Sequence, residues 1–574
     1  MTDPATLTSF IKWASAKYPA NRTSLIFWDH GGGSLSGYGY DEKNPRAGSM
    51  PLGSINKALQ DAGIKYDFIG FDACLMATAE TALVVGNYAD YLIGSEETEP
   101  GIGWYYTNWL SALSSDTSMP TLQIGKLIAD DFTSQCAKKC PGQSTTLSIT
   151  DLAELSQTLP DKLGDFAEEA SKKISGGEYQ QVATARGSSK EFAKAQGIDQ
   201  VDLIHFAKLM NTSSGKKLAN TLSDAVKYNV TSGNTANAYG LSIYFPYKRL
   251  SKVDSMTNTY KQIGLDEDYT ACIRQFAQME TCGQAVSGGT ASPFDMLSGG
   301  SGGSYQINQQ AMQQLVQSLL GGGFTGFKSL GIEGLDRSNT EYLTQDVLDA
   351  QQVTEYISDN RITAEDIRWQ KNSDGEQAVM LSEDQWSNVA SADMAMYYDD
   401  GKGYIELGLD NIFDFDDEGN LLPVLDRSWI SINGQPVAYY HTETLQKEDG
   451  TYTITGFVPI ELNGQNARLI LVFEGENSDA GIAGVSYNYD EDVTETSAKN
   501  LTGLMEGDKV KFMCDSYSYK GEFDDSYQLG KTLNISDPDS LRITNTDVGE
   551  GDVMIMYKFT DIYGQEYWTP AISK

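Results

Sequence analysis

The chain has 574 residues and a formal net charge of -37. Such a length accommodates roughly two to four domains with a sizeable core, and the acidic balance disfavours nucleic-acid binding. No stretch reaches the ~18 consecutive apolar residues of a membrane span, and the first residues do not read as a signal peptide, so none is expected in this sequence.

Taken in chain order, residues 1–282 alternate helices and strands. An amphipathic helix is expected over 5–18 and a strand over 24–29. Helix 54–62 then precedes strand 66–73, and helix 75–88 precedes strand 91–95. Helices follow at 104–114 and 120–138, then strand 145–149, helical stretches from 151 to about 230, strand 239–245 and helix 258–279. This βα alternation predicts a mostly parallel, three-layer α/β domain. Residues 283–335 contain Ser298-Gly-Gly-Ser-Gly-Gly-Ser304 and a short helical stretch, Gln306 to Leu320, and read as a Gly/Ser-rich linker. Over 336–574 the hairpin turns Asp399-Asp-Gly401, Glu418-Gly419, Asn433-Gly434, Asp449-Gly450 and Asn463-Gly464 separate alternating strands. A β-rich accessory domain, a sandwich or an open barrel, is expected there. The charge divides at the same place: residues 1–282 carry a net -6 and residues 283–574 a net -31.

Two residues carry chemistry. His30 ends the apolar run Ser24-Leu-Ile-Phe-Trp-Asp-His30 and opens into Gly31-Gly32-Gly33. Cys74 ends Tyr66-Asp-Phe-Ile-Gly-Phe-Asp72-Ala-Cys74 and opens into a helix-like stretch from Leu75 to Val85. A base and a thiol at the ends of neighbouring strands can meet at one sheet edge. A helix N-terminus after Cys74 is expected to lower its thiol pKa. The N–H groups of Gly31 and Cys74 would form an oxyanion hole, with His30 polarising the thiol or protonating the leaving amine. A carboxylate at Asp72 opposes thiolate formation, and makes better sense as a group that a cationic substrate neutralises. Asp29 lies on the other face of a regular strand and is left unassigned.

Trp28-Asp-His30-Gly-Gly-Gly33 and Phe71-Asp72-Ala-Cys74-Leu-Met76 resemble the histidine and cysteine motifs of clostripain-like cysteine peptidases. The resemblance extends through Ser95-Glu-Glu-Thr-Glu-Pro-Gly-Ile-Gly-Trp104 and Gly240-Leu-Ser-Ile-Tyr-Phe-Pro-Tyr247, covering residues 1–282. It implies a caspase-like α/β/α sandwich and cleavage after Arg, less well after Lys, with Asp72 receiving the Arg side chain. Protein or peptide substrates follow, and a secreted or cell-surface bacterial location. Family members are often cut between the catalytic His and Cys, which makes Lys43 and Arg46, in the loop from Gly37 to Ser54, the expected self-cleavage positions. They also carry further sheet strands, and often an export signal, before the point where this sequence starts, so the domain is expected to lack its first strands. A monomer is expected. No cofactor is required by the sequence; some family members depend on calcium, for which no site can be located.

Other readings compete. The His-Gly-Gly-Gly motif also serves serine hydrolases, but the only Gly-x-Ser-x-Gly match lies inside the linker. A non-catalytic surface or binding protein with a relic peptidase domain is the alternative. Among weaker signals, Asp414-Phe-Asp416-Asp-Glu418-Gly419 begins like an EF-hand loop but has Leu425 at its twelfth position, and reads as a hairpin turn. His205 reads as a core or surface histidine, and His441 has no obvious partner. Glu96, Glu97 and Glu99 follow a strand end and either line a cleft or form a solvated loop. The six cysteines are too few for a disulfide scaffold. Cys136 and Cys140 lack a second ligand pair, so no metal is expected.

Overall fold

The computed structural model describes residues 2–41, 43–140, 142–287, 309–327, 332, 334–446, 450–474, 479–487 and 503–573. Residues 288–308 of the Gly/Ser linker, and Asp449 of one hairpin turn, lie outside these residues. The described residues divide into two units, one from 1–277 and 338–346, the other from 278–337, 347–487 and 503–574.

The first unit runs α1 (Pro4–Lys17), β1 (Ser24–Trp28), α2 (Gly33–Ser36), α3 (Leu52–Ala62), β2 (Tyr66–Asp72), α4 (Ala79–Gly86), β3 (Ala89–Gly94), α5 (Tyr106–Ser115), α6 (Thr121–Lys139) and β4 (Thr146–Asp151). It continues through α7 (Leu152–Ser175), α8 (Tyr179–Gly187), β5 (Glu191–Phe192), β6 (Gln200–Asp202), α9 (Leu203–Leu209), α10 (Ser213–Ala225), β7 (Val226–Thr231), β8 (Ser242–Tyr244) and α11 (Val253–Ile263). A five-stranded sheet has the order β1-β2-β3-β4-β7, and a smaller one the order β5-β6-β8. Strands β1, β2 and β3 are parallel, but β4 is antiparallel to both of its neighbours, so the sheet is mixed rather than mostly parallel.

Three layers follow from the strand alternation. Phe68, Ile93, Leu147 and Ile149 point to one face and bury against Ile124, Ile128 and Phe132 of α6. Helices α4 and α7 pack on the opposite face of β3. On that side Phe27 of β1 stacks on Phe71 of β2, with ring centroids 4.7 Å apart. Sequence periodicity placed most of these elements within a few residues. It missed β5, β6 and β7, which fall inside the stretch expected to be helical to about 230. The helix expected over 258–279 is two helices, α11 and Glu267–Ser287, parted by Gly264 at φ 73°. A left-handed residue ends a helix, and glycine adopts it without Cβ strain.

In the second unit an eleven-stranded sheet dominates the described residues. Strand Lys509–Tyr517 pairs with both Tyr404–Asp410 and Tyr452–Leu462, and these are linked through Tyr439–Gln446. Those four strands therefore close on themselves, which removes edges as a barrel does. Asp414–Phe415 pairs antiparallel with Leu421–Leu422, so the acidic segment between them is a hairpin turn.

Candidate active site

The site forms where β1 and β2 end. Their parallel register sets Trp28 opposite Asp72, so His30 and Cys74 each lie two residues beyond a matched pair. The two chain segments are in backbone contact: a Cβ built on Gly31 would lie 1.8 Å from the Cys74 carbonyl oxygen and 2.9 Å from its nitrogen. Only glycine fits there. His30-Gly31 and Cys74 are thus brought together as expected.

The histidine side is a pinned loop. Gly39 N–H donates to the His30 carbonyl at 2.9 Å, and Tyr38 and Met50 exchange backbone hydrogen bonds at 3.0 and 2.7 Å. The His30 ring lies 5.6 Å from that of Tyr40. Asp29 is close by as well. Its Oδ1 accepts the His30 N–H at 2.7 Å and lies 3.9 Å from His30 Nε2, and its Oδ2 accepts from Tyr40 N–H at 3.4 Å. Strand alternation failed here because β1 stops at Trp28. Lys43 and Arg46 sit at the exposed tip of the same loop, Arg46 within the short 3-10 turn Pro45–Ala47.

The cysteine side differs from expectation in two ways. The helix begins at Ala79, capped by Thr78, and not at Leu75. Leu75 instead adopts φ 66°, a left-handed conformation that costs a non-glycine residue about 1–2 kcal/mol. The helix terminus is thus four residues removed from Cys74 in sequence, and the field of a helix end falls off within its first turn. Cys74 is fully buried, and burial pushes its pKa well up; the charges of Glu99 and then Glu97 add to this, while the Glu99 N–H works against it. That N–H donates to Cys74 Sγ at 3.2 Å.

The acidic segment after β3 is largely enclosed, not a solvated loop. Glu99 is buried, accepts from Trp104 Nε1 at 3.2 Å, and has its pKa pushed up to about 8 by burial. Glu97 Oε1 accepts from Ala193 N–H at 3.3 Å, and its carbonyl accepts from Leu75 N–H at 3.2 Å. Glu96 is buried and holds the Gly240 N–H. Burial and then Asp202 raise its pKa, while Asp202 is itself pushed up to about 6 by burial.

Asp72 ends β2 on the α6 face and is fully buried. It accepts from Trp104 N–H at 3.3 Å and from the Tyr106 hydroxyl at 2.9 Å. Trp104 lies across Gly70, where a Cβ would meet its ring at 2.8 Å. Asp72 and Cys74 are therefore covered together by residues 99–106.

The remaining histidines have partners of their own. His205 Nδ1 accepts the Lys190 N–H at 2.9 Å, and burial pushes its pKa down to about 4, so it is a half-buried, neutral residue. His441, in the second unit, does have partners: Asp393 at 3.4 Å and Thr444 at 2.9 Å. A bulge between His441 and Glu443 sets His441 and Thr444 on one side, which period-two reading cannot foresee. All six cysteines are free thiols. Among the described residues no group of three His, Cys, Asp or Glu side chains could hold a metal, and no helix is long and apolar enough to cross a membrane.

Several known proteins are similar to this chain. A curated clostripain from Hathewaya histolytica is 32% identical over 123 residues, a match spanning 18% of this chain and 23% of the relative. This chain thus spans less than a quarter of that relative's length. Among solved structures, a secreted C11 cysteine protease from Bacteroides thetaiotaomicron bound to an irreversible peptide inhibitor is 23% identical. That match covers 46% of this chain and 78% of the other, with a TM-score of 0.36. An inactive zymogen C11 protease from Parabacteroides distasonis is 21% identical, covering 46% and 76%, with a TM-score of 0.36. The family model described as the clostripain family matches residues 1–312, more than half of the sequence. The chain belongs to the clostripain family of cysteine proteases.

Proposed function

We propose that the protein is a cysteine endopeptidase that cleaves after Arg, and less well after Lys. The observation that carries the reading is the backbone contact between Gly31 and Cys74, within a chain of this family. In this mechanism Cys74 Sγ attacks the scissile carbonyl carbon. The N–H groups of Gly31 and Cys74 hold the oxyanion. His30 takes the thiol proton and delivers it to the leaving amine. Water then hydrolyses the thioester. Asp29, beside His30, is suited to orient the ring. Asp72 pairs with the substrate guanidinium, whose planar fork matches a carboxylate.

Burial of Cys74 and Asp72 makes the described state a closed one. A substrate needs residues 99–106 to move, and the raised thiol pKa fits a latent enzyme. Self-cleavage after Lys43 or Arg46 is the proposed trigger, since both are exposed on a loop whose ends are tied beside His30. The enclosed thiol equally suits a relic domain in a non-catalytic surface protein. Secretion and a monomeric state are part of the first reading. Cleavage of fluorogenic peptides ending in Arg, Lys, Asn or Asp, by wild type and Cys74→Ala, tests it. Arg turnover that vanishes in the variant supports the peptidase, and no turnover from folded, loop-cleaved protein supports the relic.

A further inference from the structure

Gln200 lies far from both motifs in sequence, yet its side chain reaches both. It opens β6, the middle strand of the smaller sheet, and is fully buried. Its Nε2 donates to the Leu75 carbonyl at 3.0 Å and to Ser242 Oγ at 2.8 Å. Its Oε1 accepts from Ser34 N–H at 3.4 Å. The same oxygen fills the space beside Gly33, where a Cβ would lie 1.9 Å away. One amide group thus bridges the loop after His30 and the residue after Cys74.

The Leu75 end of this bridge is a strained backbone. A left-handed leucine persists only when its surroundings hold it. Its N–H is held by the Glu97 carbonyl and its carbonyl by Gln200. The peptide fixed in this way adjoins Cys74, so it sets how the thiol and the Cys74 N–H face the segment at Gly31. Gln200 is itself anchored. The preceding residue, Asp199, pairs with buried Arg186 at 3.5 Å and accepts from the Lys248 and Arg249 N–H groups.

We propose that Gln200 is a positioning residue for the Cys-His site, holding the two catalytic loops in register through its side-chain amide. The inference rests on the peptidase reading for its kinetic part. Glutamate at 200 keeps the shape and the acceptor but loses the donor when ionised, and leucine removes both.

The test combines steady-state cleavage of an Arg peptide with site-resolved iodoacetamide labelling of the full chain, for wild type, Gln200→Glu, Gln200→Leu and Cys74→Ala. The expected kcat falls by about 10–100-fold in both Gln200 variants, with KM nearly unchanged, as when a supporting hydrogen bond is lost. Labelling of Cys74 is expected to rise at least about fivefold, as local opening does when a buried hydrogen bond is removed. Cys272, buried in the same unit, reports global unfolding and should not accelerate. A Gln200 variant that folds with unchanged kcat and unchanged Cys74 labelling overturns the proposal, as does equal acceleration at Cys272. Absence of Cys74-dependent turnover in wild type would count against the peptidase reading alone, and the labelling ratio would still decide the role of Gln200.

Discussion

At Gly31 the spacing between the two strand ends is set by the absence of a side chain. Gly31→Ala must push the Cys74 carbonyl away, and a displacement near 1 Å at a reacting centre costs about 100-fold in rate. The expected outcome is a folded protein whose Arg-peptide kcat/KM drops by at least that factor. Asp72→Asn should abolish Arg cleavage while leaving Cys74 labelling by a small thiol reagent unchanged, since it removes the guanidinium partner and not the nucleophile; retained Arg cleavage rejects that role. Glu99 makes a pH prediction. Its pKa is raised to about 8 in the fold, against about 4.3 in an unfolded chain. Between those values the native state retains a proton that the unfolded state has released, so the contribution of Glu99 to stability is full below about pH 4 and is lost as pH rises towards 8. Glu99→Gln should remove this slope, so that urea midpoints of variant and wild type diverge with rising pH, the variant being the more stable. A constant gap across pH 5–8 contradicts the assignment. At this scale the sequence was most legible in placing His30-Gly31 and Cys74 at adjoining strand ends, which come into backbone contact. Glu99 was legible only as an acidic residue that could line a cleft, and Gln200 not at all, because burial and contacts between distant segments set their surroundings.

Among elements, strand periodicity identified β1 and β2, and those two strands alone bring His30 and Cys74 to one edge. The apolar run after Cys74 looked helical throughout. Tertiary contacts override that propensity, since Leu75 is held left-handed by Glu97 and Gln200, and Thr78 caps the helix four residues after Cys74. Strand direction was illegible for a related reason. The segment between β3 and β4 contains two helices, and a helical connection does not by itself dictate a parallel return. The loop from Gly37 to Ser54 was readable as irregular, but not its ties at Tyr38 and Met50. Those ties leave Lys43 and Arg46 as an exposed tip. Purified wild type should therefore show a short N-terminal fragment ending at Lys43 or Arg46, while Cys74→Ala and the Lys43→Ala/Arg46→Ala double variant should remain intact on a denaturing gel. Intact, fully active wild type would remove the idea.

Over the whole molecule, charge is the property most directly read from sequence. Residues 283–574 account for -31 of the net -37. Such a field raises the local concentration of cationic peptides and is screened over about 10 Å at 0.1 M salt. The kcat/KM for a peptide with several basic residues should fall several-fold as salt rises from about 50 to 500 mM, while a peptide with a single Arg should change less. The central claim is that Cys74 is the nucleophile of an Arg-directed peptidase. Its most direct test is turnover of fluorogenic Arg, Lys, Asn and Asp peptides by wild type and Cys74→Ala, after loop cleavage has been checked. The account predicts turnover after Arg, weaker turnover after Lys, and none in the variant. Equal turnover in both proteins, or a preference for Asn or Asp, would contradict it.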